Sequence, residues 1–310
     1  MIRRISYSLI VFLCLGGFMV SPSDLWAHGV VGQRFFVESQ SVEDPFASDE
    51  MDLLAVSHQH DSEGQTTAYS GGISKRLSPN LGFGVDWEYD VLNPKDSSAV
   101  RGWNNLGLHV KYVMVRIPEH EFIATSMIDY EWGNTGNPRI GADQFSTVTP
   151  AFMFGYGFGD LPDSLGYLKP FAVTGQLGLG SFFRNPSPDA TDIANTLTYG
   201  LVLEYSLLYL QSYVKDIGLG WPFNRLVPIV EYSVDMGFNG PDFGKKTGAY
   251  YPGFVWAGRY YQFNVEAIVP INSQSGGYGA QALIHLYLDD MFPKSYTWTP
   301  FYGVLGGTQR

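Results

Sequence analysis

His58-Gln59-His60-Asp61 sets two imidazoles two residues apart, so both fall on one face of an extended chain, at a spacing that suits zinc or copper. No partner cluster accompanies them, and the plainer reading is a strand end without a metal. A second copper site depends on processing. If a leader is cut after Ala27, His28 becomes the N-terminal residue, and its amine and ring could chelate copper with another histidine. The stretch EDPFASDEMD (43–52) packs five carboxylates into ten residues. It lacks the ordered, glycine-containing loop of a tight calcium site and reads as a solvated acidic lead-in to the first strand. No metal or cofactor is assigned. G-x-S-x-G, P-loop and H-E-x-x-H patterns are absent from the sequence, so the chain is not expected to be an enzyme.

The remaining ionisable residues fall into a pattern. In LGFGVDWEYD (81–90), Leu81, Phe83, Val85, Trp87 and Tyr89 alternate with glycines and with Asp86, Glu88 and Asp90. A period of two is that of a strand with one apolar face and one small or charged face. The same phase puts Asp86, Glu88, His109, Lys111, Asp129, Glu204, Glu231, Asp235, Glu266 and His285 on the faces opposite the apolar ones. In a barrel whose apolar side meets lipid, these ten line a wet lumen, where unpaired carboxylates favour cations and paired ones brace the wall. Tyr287, in the same phase, could stack against or shield an aromatic solute.

Twelve segments of this kind follow one another, at about 51–60, 66–75, 80–92, 102–116, 120–132, 144–159, 167–182, 194–210, 224–237, 248–258, 260–270 and 278–289. Ten residues or more per strand suits an oblique crossing of a bilayer. Tight connections at 76–79, 117–119 and 257–258 alternate with loops at 93–101, 131–144, 184–193, 237–246 and 271–277, rich in Gly, Pro, Asn and Asp. Short periplasmic turns and longer extracellular loops give that alternation, and only 211–224 is too long for its side. Many of the 20 tyrosines and 7 tryptophans collect near strand ends, as in two interfacial girdles.

The bulk properties agree. The chain has 310 residues, 36 of them glycine, and a net charge of −11 with no basic stripe, which argues against nucleic acid as a partner. Beyond the N-terminus no long apolar run appears, so helical membrane spans are excluded. Residues 1–27 read as a signal peptide, with Arg3 and Arg4 ahead of an apolar stretch, and they contain the single cysteine, Cys14. The His-x-Ser-Asn pattern of the twelve-stranded outer-membrane phospholipase is absent.

HGVVGQRFF (28–36), VEDPFASDEMDLL (42–54), LIHLYLDDMFP (283–293) and TPFYG (299–303) resemble proteobacterial outer-membrane proteins of the transporter-like family associated with the phenol-degradation meta-pathway. The resemblance implies a barrel that passes small solutes, aromatic or hydrophobic ones among them, and it brings no catalytic residues.

The expectation is therefore an all-β chain: a single transmembrane antiparallel barrel of about twelve strands over 51–292, in a bacterial outer membrane. Residues 28–50 would form a periplasmic segment able to plug it, and 293–310 a tail. Passive passage of small solutes is the leading function. The alternatives are a structural or adhesive barrel whose loops bind a partner, and a periplasmic copper-binding β protein that uses His28.

Overall fold

In the computed structural model, which describes residues 29–182, 195–239, 243–293 and 298–301, the chain forms fifteen strands. A small hairpin, β1 (Val30–Val31) and β2 (Arg34–Phe35), comes first. Then follow β3 (Glu50–His60), β4 (Gly64–Ser78), β5 (Leu81–Pro94), the short β6 (Val100–Trp103), β7 (Leu106–Ile117) and β8 (Phe122–Trp132). The second half contains β9 (Thr147–Gly157), β10 (Phe171–Phe182), β11 (Thr196–Tyr205), β12 (Leu226–Gly237), β13 (Lys246–Ala257), β14 (Tyr261–Pro270) and β15 (Tyr278–Tyr287). Except for β6, the strands from β3 onward pair antiparallel with their neighbours in sequence, and β15 pairs with β3, so twelve strands close into a barrel. Closure leaves no sheet edge to satisfy, which is why a strand architecture can stand in hydrocarbon. Strand β6 adds a flap: it pairs with Tyr89–Leu92 of β5, while β7 takes over at Asp86. The sequence pattern merges β6 with the start of β7, because its few residues continue the same alternation.

The alternation sorts the two faces. Phe152, Ile128, Leu177 and Leu201 are 45%, 55%, 51% and 46% exposed on the outer wall, whereas the inward Thr125, Gln262 and Glu231 are fully buried. Polar inside and apolar outside is the reverse of a water-soluble barrel.

Connections at one end are tight at 79–80, 118–121 and 258–260. Two others there are long, 158–170 and 206–225, so the expected rule of short turns holds for three of five links. Both long links carry short helical turns and hydrogen-bond to each other's neighbourhood, as in Ser206 N–H to Pro170 O at 3.1 Å. The loops at the other end include 133–146 and 271–277, while most of 183–195 and part of 238–245 lie outside the described residues. The leader (1–27), His28 and most of the 293–310 tail also lie outside them.

Residues 29–49 lie inside the barrel. They start at the short-turn end, where Gly32, at φ +63°, brings its backbone against Pro118 O so closely that no Cβ would fit. The chain then climbs, reverses at about 40–43, and returns to β3. Two apolar clusters hold it. Val31, Phe36, Phe46 and Ala47 pack on Val113, Ile123 and Ala172, and Val37 and Val42 pack on Val202, Val227, Ile229 and Val255. The acidic stretch 43–52 is thus no solvated lead-in: Asp44, Asp49 and Glu50 are almost wholly buried. Each finds a compensating group. Asp49 accepts from Lys75 Nζ at 2.7 Å and from the Arg76 N–H at 2.8 Å, Asp44 accepts the Phe46 N–H at 3.0 Å, and Glu50 faces His285 at 3.8 Å.

Candidate functional site

The buried segment is anchored at its base by Arg34, which donates to Glu121 (3.2 Å) and to the carbonyls of Lys169 and Pro170, and lies 4.0 Å from the centre of the Tyr209 ring. The Tyr209 hydroxyl donates to the same Glu121 at 2.9 Å, so one cation ties three connections of the short-turn end together. Higher up, inward side chains of the wall bond the segment's backbone and hydroxyls. Glu204 accepts the Val37 N–H (3.2 Å), Asn264 and Gln262 donate to Glu38 O, and Glu231 accepts from the Ser39 hydroxyl (2.7 Å) and the Ser41 N–H (2.9 Å). On the descending limb Lys111 Nζ meets Glu43 at 2.9 Å and Asp44 O at 3.3 Å, and the Thr125 hydroxyl donates to Pro45 O.

Two acids of the segment respond in opposite directions. Burial, reinforced by the Asp44 carboxylate, pushes Glu38 well above the ordinary carboxylate range. Burial would raise Glu43 as well, but the charge and hydrogen bond of Lys111 together with the nearby His109 outweigh that and hold its carboxyl below the ordinary value.

Above the reversal is a cavity of about 490 Å³, floored by Gln40, Ser41 and Glu43 and walled by strands β3 to β11. Its carboxylates are Glu43, Asp52, Asp86, Glu88, Asp129 and Glu131, and its neutral polar groups include Asn104, Asn105, Thr149, Gln176 and Thr198. It forms a vestibule at the end of the barrel that carries the loops 133–146 and 271–277. Glu88 accepts from Asn104 (3.1 Å) and Glu131 from Asn105 (2.7 Å), which fixes two of the acids without neutralising them.

The structure places all ten sequence-derived candidates on the inner wall but divides them. Asp86, Glu88 and Asp129 line the vestibule, and Asp235 sits at its rim, accepting the Thr198 hydroxyl. His109 and Lys111 lie below, His109 bonded to Asp86 at 2.8 Å. Glu204 and Glu231 grip the buried segment, Glu266 accepts from Gln281 at 2.8 Å, and His285 bonds Asp52 at 2.7 Å. Tyr287 is buried with its hydroxyl donating to Gln262 at 3.2 Å, so it is not open to a passing solute. Sequence reasoning missed Asp52, Glu131 and the vestibule amides. Glu131 is legible in retrospect, two residues from Asp129 and in the same phase. His58 and His60 stand on the outer face near the loop end, exposed, with His58 bonded to Thr67 at 2.8 Å. Among the described residues no group of three or more His, Cys, Asp or Glu is arranged to hold a metal.

A closed barrel with an apolar outer belt and a polar interior is a β-barrel of the bacterial outer membrane. A soluble periplasmic protein would not present such a belt. Among solved structures the chain is similar to the KdgM porin (TM-score 0.43, 10% identity, 76% of this chain and 97% of that one). It is also similar to an outer membrane channel from Pseudomonas putida F1 (0.49, 11%, 81% and 97%) and to LpxR from Salmonella typhimurium (0.42, 11%, 77% and 99%). No protein-family model and no curated protein matches the chain.

Proposed function

We propose that this barrel is an outer-membrane channel for passive diffusion of small solutes, with the acidic vestibule as its outer mouth and residues 29–49 as its plug. The observation that carries this reading is the cavity of about 490 Å³, which is walled by five carboxylates of the strands and ends on Gln40, Ser41 and Glu43 of the segment. A permanent core has no use for so many carboxyl groups facing water, whereas a mouth that concentrates cations does. Vestibule acids outnumber the bases within reach, Lys111, His109 and His285, so the mouth favours cationic or neutral solutes over anions. Aromatic and hydrophobic solutes, as the phenol-pathway resemblance implies, belong among the neutral ones.

A second reading is a structural barrel whose loops engage a partner. The tight filling of the lumen by Phe36, Val37, Val42 and Phe46 favours it. Planar-bilayer recording separates the two. A channel gives unitary currents that shrink for cations on Asp86→Asn and Glu88→Gln, and that become more frequent when Arg34 is replaced. A structural barrel stays silent in all three proteins.

A further inference from the structure

Below the vestibule, strand register sets Ser74 of β4, Gly84 of β5 and His109 of β7 in a single cross-strand row. Asp86 stands one step further along the inner face of β5, paired with Gly107 of β7. Gly84 is what lets the row work: a Cβ there would sit 2.2 Å from His109 Nε2 and 2.6 Å from Ser74 Oγ. With no side chain in the way, the imidazole crosses β5. Its Nε2 lies 3.0 Å from Ser74 Oγ and its Nδ1 lies 2.8 Å from Asp86 Oδ2. A hydroxyl, an imidazole and a carboxylate bonded in that order form the arrangement that turns a serine into a nucleophile.

We propose that Ser74 is a nucleophile toward short-chain esters, with His109 as its general base and Asp86 as the positioning residue. The Ser74 oxygen bonds to the ester carbonyl carbon while its proton passes to His109 Nε2, and Asp86 accepts from Nδ1–H as the ring becomes charged. Collapse breaks the carbon–alkoxy bond, and the alcohol leaves with the proton from Nε2. Water then repeats the sequence on the acyl-serine, releasing the acid and restoring the hydroxyl. No redox partner is needed. Lys111 lines the same cavity of about 30 Å³ as Ser74 and supplies the positive charge for the oxyanion.

The same surroundings define the substrate. That cavity shares Glu43, Asp52 and Asp86 with the vestibule, so the route to Ser74 runs past Glu43 of the buried segment. Its volume limits the acyl group to acetyl size, and the acids around the vestibule select an uncharged or cationic alcohol portion. The activity is independent of whether solutes cross the barrel.

A hydrogen-bonded brace with no chemistry would look the same at rest, so the test is reactivity. The full-length barrel, folded in detergent and checked by heat-modifiable gel mobility, is treated with a fluorophosphonate and with p-nitrophenyl acetate. Adducts are located by mass spectrometry. The expected result is an adduct on Ser74, lost in Ser74→Ala, with Ser70 unmodified although it lines the vestibule four residues away on the same face. Asp86→Asn slows acylation about 100-fold or more. The rate rises sigmoidally with pH in the parent and loses that dependence in His109→Gln, and Glu43→Gln speeds acylation by opening the route. If neither the parent nor Glu43→Gln, both folded, gains a Ser74 adduct, or if Ser70 reacts equally fast, the proposal is overturned.

Discussion

Lys111 Nζ lies 2.9 Å from the Glu43 carboxylate and joins a barrel strand to the tip of the segment folded inside it. Lys111 is 4% exposed, so its ammonium is stable there only with a counter-charge, whereas Glu43 keeps 38% of its side chain open toward the vestibule. The pair is at once a latch on the segment and part of the floor that a solute meets.

Glu43→Gln should therefore loosen the segment. The pair is half buried, which places the cost between that of an exposed and a fully buried ion pair, at about 1–3 kcal/mol of seating free energy. Hydrogen exchange over residues 29–49 should accelerate, while the amides of β9 to β12 keep their protection.

Arg34→Ala should cost more, because Arg34 is fully buried and its loss strands the buried Glu121. Breaking such a pair costs about 3–5 kcal/mol. Arg34→Lys should not rescue it, since one ammonium cannot reach Glu121 and both carbonyls of 169 and 170 in the guanidinium's geometry. Proteolysis of residues 29–49 in the folded barrel is the readout, and both variants should be cut well before the parent.

Seating should also depend on pH, with two limbs of opposite sign. Glu38 has a raised value when seated, so its contribution is fully present below the ordinary glutamate value, about 4.3, and is lost as pH rises through the seated value. Glu43 has a lowered value, so its contribution is present above the ordinary value and is lost as pH falls through the seated one. The segment should hold most firmly near the ordinary glutamate value and loosen on either side of it, through Glu38 as pH rises and through Glu43 as pH falls. Glu38→Gln should remove the loss on the alkaline side, and Glu43→Gln the loss on the acid side. The mobility of a spin label at Gln40 reports both limbs.

In the vestibule, Asp129→Asn combined with Glu131→Gln should lower the cation-to-anion permeability ratio severalfold. The change should be largest at low salt, because the Debye length of about 10 Å at 0.1 M shrinks as salt is added. Reversal potentials under a salt gradient measure it.

The strands were legible because period two survives wherever one face must be apolar: Phe83 and Val85 could be assigned outward, and Asp86 and Glu88 inward, without coordinates. The segment 29–49 was not legible. It has no period, and the groups that compensate its acids (Lys75 for Asp49, Lys111 for Glu43) come from barrel strands outside it. Counted alone, five carboxylates in ten residues look solvated; only register reveals the partners. The Ser74–Gly84–His109 row stayed hidden for the same reason, since its members meet through pairing across β5 rather than through spacing along the chain. The long links 158–170 and 206–225 broke the turn rule because Arg34 and Tyr209 use them to close the base of the barrel.

Whether hydrocarbon bathes the outer face can be measured directly. Single spin labels at Phe152 and Leu177, and at Ala151 and Thr149 on the inner wall, are compared in liposomes for collision with dissolved oxygen and with a water-soluble nickel chelate. The outer pair should favour oxygen and the vestibule pair the chelate. Equal accessibility at adjacent residues, or preference for the chelate at Phe152 and Leu177, would contradict a lipid-facing wall and with it the channel.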